Sequence, residues 1–137
     1  MFNIVKILNS GASTPDVLRL PINADVAIKP GCALVIRDGA VACPTEGDVP
    51  ELIVIEKVGE NSITAYTATS GVVYRMKPIL KTEVDAEGNA TTEEAPAILE
   101  RVGIAIENGI AVGIKRSGIG SGTVIGIDGE NLLVNFR

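Results

Sequence analysis

Residues 104–113 read Ile104-Ala105-Ile106-Glu107-Asn108-Gly109-Ile110-Ala111-Val112-Gly113. An Asn-Gly pair between two short apolar runs is the sequence of a type I′ hairpin, whose central residues both need positive φ, where Asn and Gly are least strained. The stretch therefore predicts two antiparallel strands joined by a two-residue turn. The same grammar repeats outward in both directions. Residues 32–37 and 40–43 flank Asp38-Gly39, residues 51–58 and 62–67 flank Gly59-Glu60-Asn61, and residues 123–127 and 132–136 flank Asp128-Gly129-Glu130-Asn131. Residues 17–20, 26–28, 72–76 and 79–84 read as further strands, set off by turn residues such as Lys29-Pro30-Gly31 and Lys77-Pro78. Residues 97–102 admit one short helical turn, and nowhere else does an apolar helical period run long enough for an ordinary helix. The predicted class is all-β, and about ten short strands close most economically into a small antiparallel β-barrel or a sandwich.

The composition agrees. A chain of 137 residues, 46% hydrophobic and 21% charged, fits one domain of ordinary size with a real core. Its first residues stand apart. Phe2, Ile4, Val5, Ile7 and Leu8 form a short apolar stretch, followed by Asn9-Ser10-Gly11-Ala12-Ser13-Thr14 and Pro15. Residues 1–14 therefore read as an N-terminal arm and linker, and residues 15–137 as a single β domain. Burying the five apolar side chains yields about 7 to 15 kcal/mol. Fixing about eight backbones costs about 8 to 16 kcal/mol. The arm is near break-even, so it is expected to be mobile unless it docks on the body as a first strand or on a partner.

Composition also removes whole classes of chemistry. Histidine is absent, which takes away the commonest proton shuttle near neutral pH and the commonest zinc ligand. The net charge is −5, and the 12 Lys and Arg are scattered, so no stripe tracks a phosphate backbone and no nucleic-acid partner is expected. No apolar run is long enough to span a membrane. The N-terminus lacks the basic region of a secretory signal, and the chain is expected to stay in the compartment where it is made. Counting outward from Asp38-Gly39 places Cys32 and Cys43 on one face but diagonally, which favours two buried thiols over a disulfide.

The motifs that carry chemistry elsewhere fail here on spacing. Gly118-Ile119-Gly120-Ser121-Gly122 precedes a strand rather than a helix and lacks the Lys of a phosphate-binding loop. Ser121 has no His, and no announced Lys, to act as its base. The acids Glu83, Asp85, Glu87, Glu93, Glu94 and Glu100 fall out of register for a calcium loop, so residues 85–94 read as an exposed loop. Asn89-Ala90-Thr91 matches a glycosylation sequon by accident. Tyr66 and Tyr74, near Lys57 and Arg75, suggest an oligonucleotide-binding barrel, but the acidic charge opposes it. No catalytic, cofactor-binding or metal-ligating set emerges, and the chain reads as non-enzymatic.

Several stretches together resemble a known family. These are the apolar arm, Leu18-Arg19-Leu20-Pro21, Ile28-Lys29-Pro30-Gly31-Cys32-Ala33-Leu34-Val35 running into Asp38-Gly39-Ala40-Val41, Gly71-Val72-Val73-Tyr74-Arg75-Met76, and Gly122-Thr123-Val124-Ile125-Gly126-Ile127-Asp128-Gly129-Glu130-Asn131-Leu132-Leu133-Val134. Loosely, over most of the chain, they resemble the capsid decoration proteins of tailed bacteriophages. The resemblance implies a β-barrel or β-tulip-like domain made in the host bacterial cytoplasm. It implies assembly, usually as a homotrimer, on the outer surface of a mature capsid, where the family binds the major capsid protein and stabilises contacts between capsomers. It carries over no catalytic residue and no cofactor. On this reading Phe2, Ile4, Val5, Ile7 and Leu8 become the capsid interface, ordering on the shell as an added strand. The alternative is another non-enzymatic binding or assembly module, such as a tail or spike component or an oligonucleotide-binding-like domain.

Overall fold

The computed structural model describes residues 1–7, 15–68 and 71–137, with Lys6 and Ile7 described through their backbone alone. The described residues form thirteen strands and no helix: β1 (Asn3–Ile7), β2 (Val17–Pro21), β3 (Ala33–Arg37), β4 (Ala40–Ala42), β5 (Leu52–Val58), β6 (Ser62–Thr67), β7 (Val72–Met76), β8 (Thr82–Val84), β9 (Ala90–Thr92), β10 (Arg101–Glu107), β11 (Ile110–Arg116), β12 (Gly122–Asp128) and β13 (Asn131–Phe136).

The hairpins form where their turn chemistry places them. Asn108 and Gly109 take φ of 52° and 75°, and Glu107 pairs with Ile110. Asp38 and Gly39 take 51° and 76°, and Arg37 pairs with Ala40. Both are two-residue turns with positive φ at each centre, as the sequence predicts.

Eleven strands share one sheet, in the order β1-β7-β13-β12-β10-β11-β3-β5-β6-β2, with β4 attached to β3. All of these ladders are antiparallel. Register shifts interrupt four of them, near Val5, Ile55, Val112 and Ile125. Such bulges bend a strand and raise its local twist. The sheet stays open, because its end strands β1 and β2 do not pair with each other.

The core divides into two clusters because β3 and β5 are buried on both faces. Ala33 and Ile53 join one cluster, with Phe2, Tyr74, Ile104, Ile114, Val134 and Phe136 among its members. Cys32, Leu34, Leu52 and Val54 join the other, with Ile22, Val41, Ile63, Ala65 and Ile110. Alternation along a strand sends neighbouring residues to opposite faces, so the two strands are shared. The first cluster holds three of the chain's four aromatic residues. Phe2 and Tyr74 meet edge to face at 5.5 Å between centroids and Tyr74 and Phe136 at 5.8 Å, while Phe2 and Phe136 are tilted to each other at 6.2 Å. Such contacts add about 0.5 to 1.5 kcal/mol per pair beyond burial.

Three expectations change. Residues 26–28 form no strand; Val26 and Ile28 instead pack from a loop against the second cluster. Residues 97–102 form no helical turn: Leu99 takes φ of 73°, outside the right-handed helical region, and β10 begins at Arg101. The predicted strand at 79–84 shortens to β8, which pairs with β9 in a separate two-stranded sheet, so the segment read as a loop contains half of a hairpin.

Candidate functional site

Of the five residues nominated from sequence, Phe2, Ile4, Val5 and the backbone of Ile7 lie on the body. Phe2 is 4% exposed and sits in the aromatic group of the core. Ile4 pairs with Tyr74 and packs against the same cluster, while Val5 is half-buried at a register shift. Ile7 pairs through its backbone with Val72, and Leu8 lies outside the described residues. The amide of Phe2 donates to the Gly31 carbonyl at 2.9 Å, tying the start of β1 to the entrance of β3. Gly31 is required there, since its φ is 84° and a Cβ would come within 2.8 Å of the Met1 Cβ.

The other sequence motifs are absorbed by the fold. Gly120 lies so close to Val102 that a Cβ would overlap its carbonyl, so this glycine serves close backbone packing. The Ser121 hydroxyl donates to the Gly47 carbonyl. Tyr74 is buried and presents no face to a base, and burial pushes its phenol pKa up. Cys32 is buried and Cys43 half-buried; both are free thiols, and burial raises the pKa of each. Among the described residues no group of His, Cys, Asp and Glu is placed to hold a metal ion.

What the fold does build is an apolar surface around the outer part of β12. The strand touches β10 only at Gly122 and Thr123, which pair with Val102 and Arg101. One further step is made by the turn before β10, where the Leu99 amide donates to the Val124 carbonyl at 2.7 Å and the Val124 amide to the Glu100 carbonyl at 3.0 Å. Beyond it β12 continues paired only with β13. Ile125 and Ile127 are consequently 43% and 55% exposed, beside Ile98 at 53% and Leu99 at 78%.

Leu99 is the unusual member. A leucine in the left-handed region carries a backbone cost of about 1 to 3 kcal/mol. The two hydrogen bonds to Val124 hold it in that conformation while its side chain points into solvent.

Two other features stand on the outside of the fold. A shallow cleft of about 310 Å³ is lined by Lys77, Pro78, Leu80, Ala95 and Glu130. Lys77 and Glu130 form an ion pair at 2.7 Å, and the lysine holds the glutamate's pKa below its ordinary value. Further out stands the β8–β9 hairpin, with every residue of both strands exposed. Its turn is closed by Asp85, whose carboxylate accepts from the Asn89 amide at 2.8 Å, the Glu87 amide at 3.0 Å and the Asn89 side chain at 3.2 Å. Those donors, led by the Asn89 amide, lower the Asp85 pKa. Ile98, Leu99, Ile125 and Ile127 offer apolar contact on the outside of the body.

Sequence reading missed Ile98 and Leu99 because it placed them in a helical turn. No local signal marks them, since their exposure is decided by where β12 parts from β10.

Comparison with protein-family models, with curated proteins and with solved structures finds no match to this chain.

Proposed function

We propose that the chain is a structural virion protein, a decoration or cement protein that binds the outer surface of a mature phage capsid and stabilises contacts between capsomers without catalysis. The observation that carries this reading is the outward apolar surface of Ile98, Leu99, Ile125 and Ile127 on an all-β body. The turn-and-strand resemblance described above supports it. On this reading the open, bulged sheet is the framework of a β-tulip-like domain, homotrimers display three copies of the surface, and avidity holds them on the lattice of major capsid protein. On this reading the capsid contact lies on this surface; of the arm residues, Phe2 packs in the core.

The copy number of this chain relative to major capsid protein, in purified virus particles from its source, tests the proposal. A ratio near one per capsid subunit supports a lattice-covering cement. A few copies per particle favours a tail or spike component, and none overturns the virion reading. The surface itself is tested by Leu99→Asp, which should abolish binding to capsids while leaving the thermal unfolding of the free protein nearly unchanged. Unaltered capsid binding by that variant removes this surface from the proposal.

A further inference from the structure

The β8–β9 hairpin poses a physical problem. It forms a sheet of its own, and an isolated two-stranded hairpin is at best marginally stable in water. Its first limb is anchored at the root, where the Ile79 amide donates to the Ile114 carbonyl of β11 at 2.8 Å and Ile79 lies over Gly113. The returning limb is gripped by a single side chain from β11. Arg116 donates from Nε to Glu100 Oε2 at 2.8 Å, from Nη1 to Glu93 Oε2 at 3.0 Å and from Nη2 to the Glu94 carbonyl at 3.3 Å.

Glu93 then passes the constraint across the hairpin. Its other carboxylate oxygen accepts from the Lys81 amide at 3.0 Å, and its own amide donates to the Lys81 carbonyl at 2.9 Å. One guanidinium thus fixes both limbs, through charge-assisted bonds in a planar fork that a lysine cannot reproduce. Beneath the hairpin a space of about 140 Å³ is lined by Ile79, Leu80, Lys81, Glu93, Lys115 and Arg116.

We propose that Arg116 is a latch: it holds the β8–β9 hairpin against β11, and the hairpin is a strap that opens as a separate unit when the latch is broken, uncovering Ile79 and Leu80. The proposal stands independently of the capsid reading. Local opening of this kind is read by amide exchange, because each segment exchanges according to its own opening equilibrium.

The experiment is hydrogen–deuterium exchange by mass spectrometry on the full chain at neutral pH, comparing the native protein with Arg116→Gln and Arg116→Lys. Arg116→Gln should speed exchange in residues 82–93 by at least about tenfold while β12 and β13 are unchanged. Arg116→Lys should behave nearly the same, since it keeps the charge and loses the fork. Three outcomes overturn the proposal: unchanged exchange at 82–93 in the glutamine variant, an equal rise throughout the large sheet, or full protection in the lysine variant.

Discussion

The hairpins β10–β11 and β8–β9 lie close together in the chain and are held by different physics. In β10–β11 the turn fixes the register, and the sheet then buries the result: Val102, Ile104 and Ile114 have no solvent exposure. In β8–β9 the Asp85 carboxylate closes the turn, a single hydroxyl pair joins Thr82 to Thr92 at 3.0 Å, and every strand residue stays in water. The contrast separates what a turn does from what a core does. Turn chemistry selects which strands pair and in what register. Burial supplies most of the free energy that keeps them paired.

Truncation should break the comparison most strongly. Ile104→Ala on β10 should destabilise the whole domain by about 2 to 5 kcal/mol, because it removes fully buried methylenes from a packed cluster. Val84→Ala on β8, where the side chain is 66% exposed, should change global stability by less than about 0.5 kcal/mol. Denaturant unfolding monitored by circular dichroism measures both. Equal losses would mean that the hairpin is part of the cooperative unit.

Alkaline titration sharpens the same distinction from the core side. Burial raises the Tyr74 pKa, so the folded state holds a proton that the unfolded chain releases near the ordinary tyrosine value of about 10. The unfolded state then binds fewer protons, and stability falls as pH rises past that value, by up to about 1.4 kcal/mol per pH unit. Below it the contribution is fully present. The raised Cys32 pKa acts in the same direction, starting from the lower thiol range. Tyr74→Phe should remove the upper part of the fall, and at neutral pH it should be neutral or stabilising, because the buried hydroxyl has no hydrogen-bond partner among the described residues. Unfolding midpoints between pH 8 and 11 decide the matter.

The sequence made local features legible and left distant ones hidden. Asp38-Gly39 and Asn108-Gly109 announce their turns because positive φ is a requirement on those residues alone. Val26 and Ile28 misled because alternating apolar residues report which side is buried, not whether a strand partner exists. The arm stood near break-even in isolation, and what places its described residues 1–7 is remote: the edge of β7, the rings of Tyr74 and Phe136, and the room left by Gly31. Leu99 was hidden for the same reason. Its left-handed backbone is held by bonds to Val124, a residue 25 positions away.

Acid should act on the hairpin before it touches the core. Asp85 and Glu100 both have lowered pKa values, Asp85 chiefly through the Asn89 amide and Glu100 chiefly through Arg116. A lowered carboxylate pKa contributes stability that is present above the unfolded-state value and is lost as pH falls through the folded-state value. Asp85 is exposed and Glu100 half-buried at the surface, so the effect is small and local. The charge facing Glu100 is Arg116 on β11, which also pairs with Glu93, while Asp85 is held by hydrogen-bond donors alone. As pH falls below the ordinary carboxylate range, amide protection in residues 82–93 should decline while the midpoint of global unfolding changes little. Asp85→Asn should weaken protection already at neutral pH, because the amide that replaces the carboxylate is a poorer acceptor for the two backbone donors. A hairpin that kept its protection through that pH range, with the variant unchanged, would mean that backbone pairing alone holds it, and the division between a core-held and a charge-held hairpin would fall.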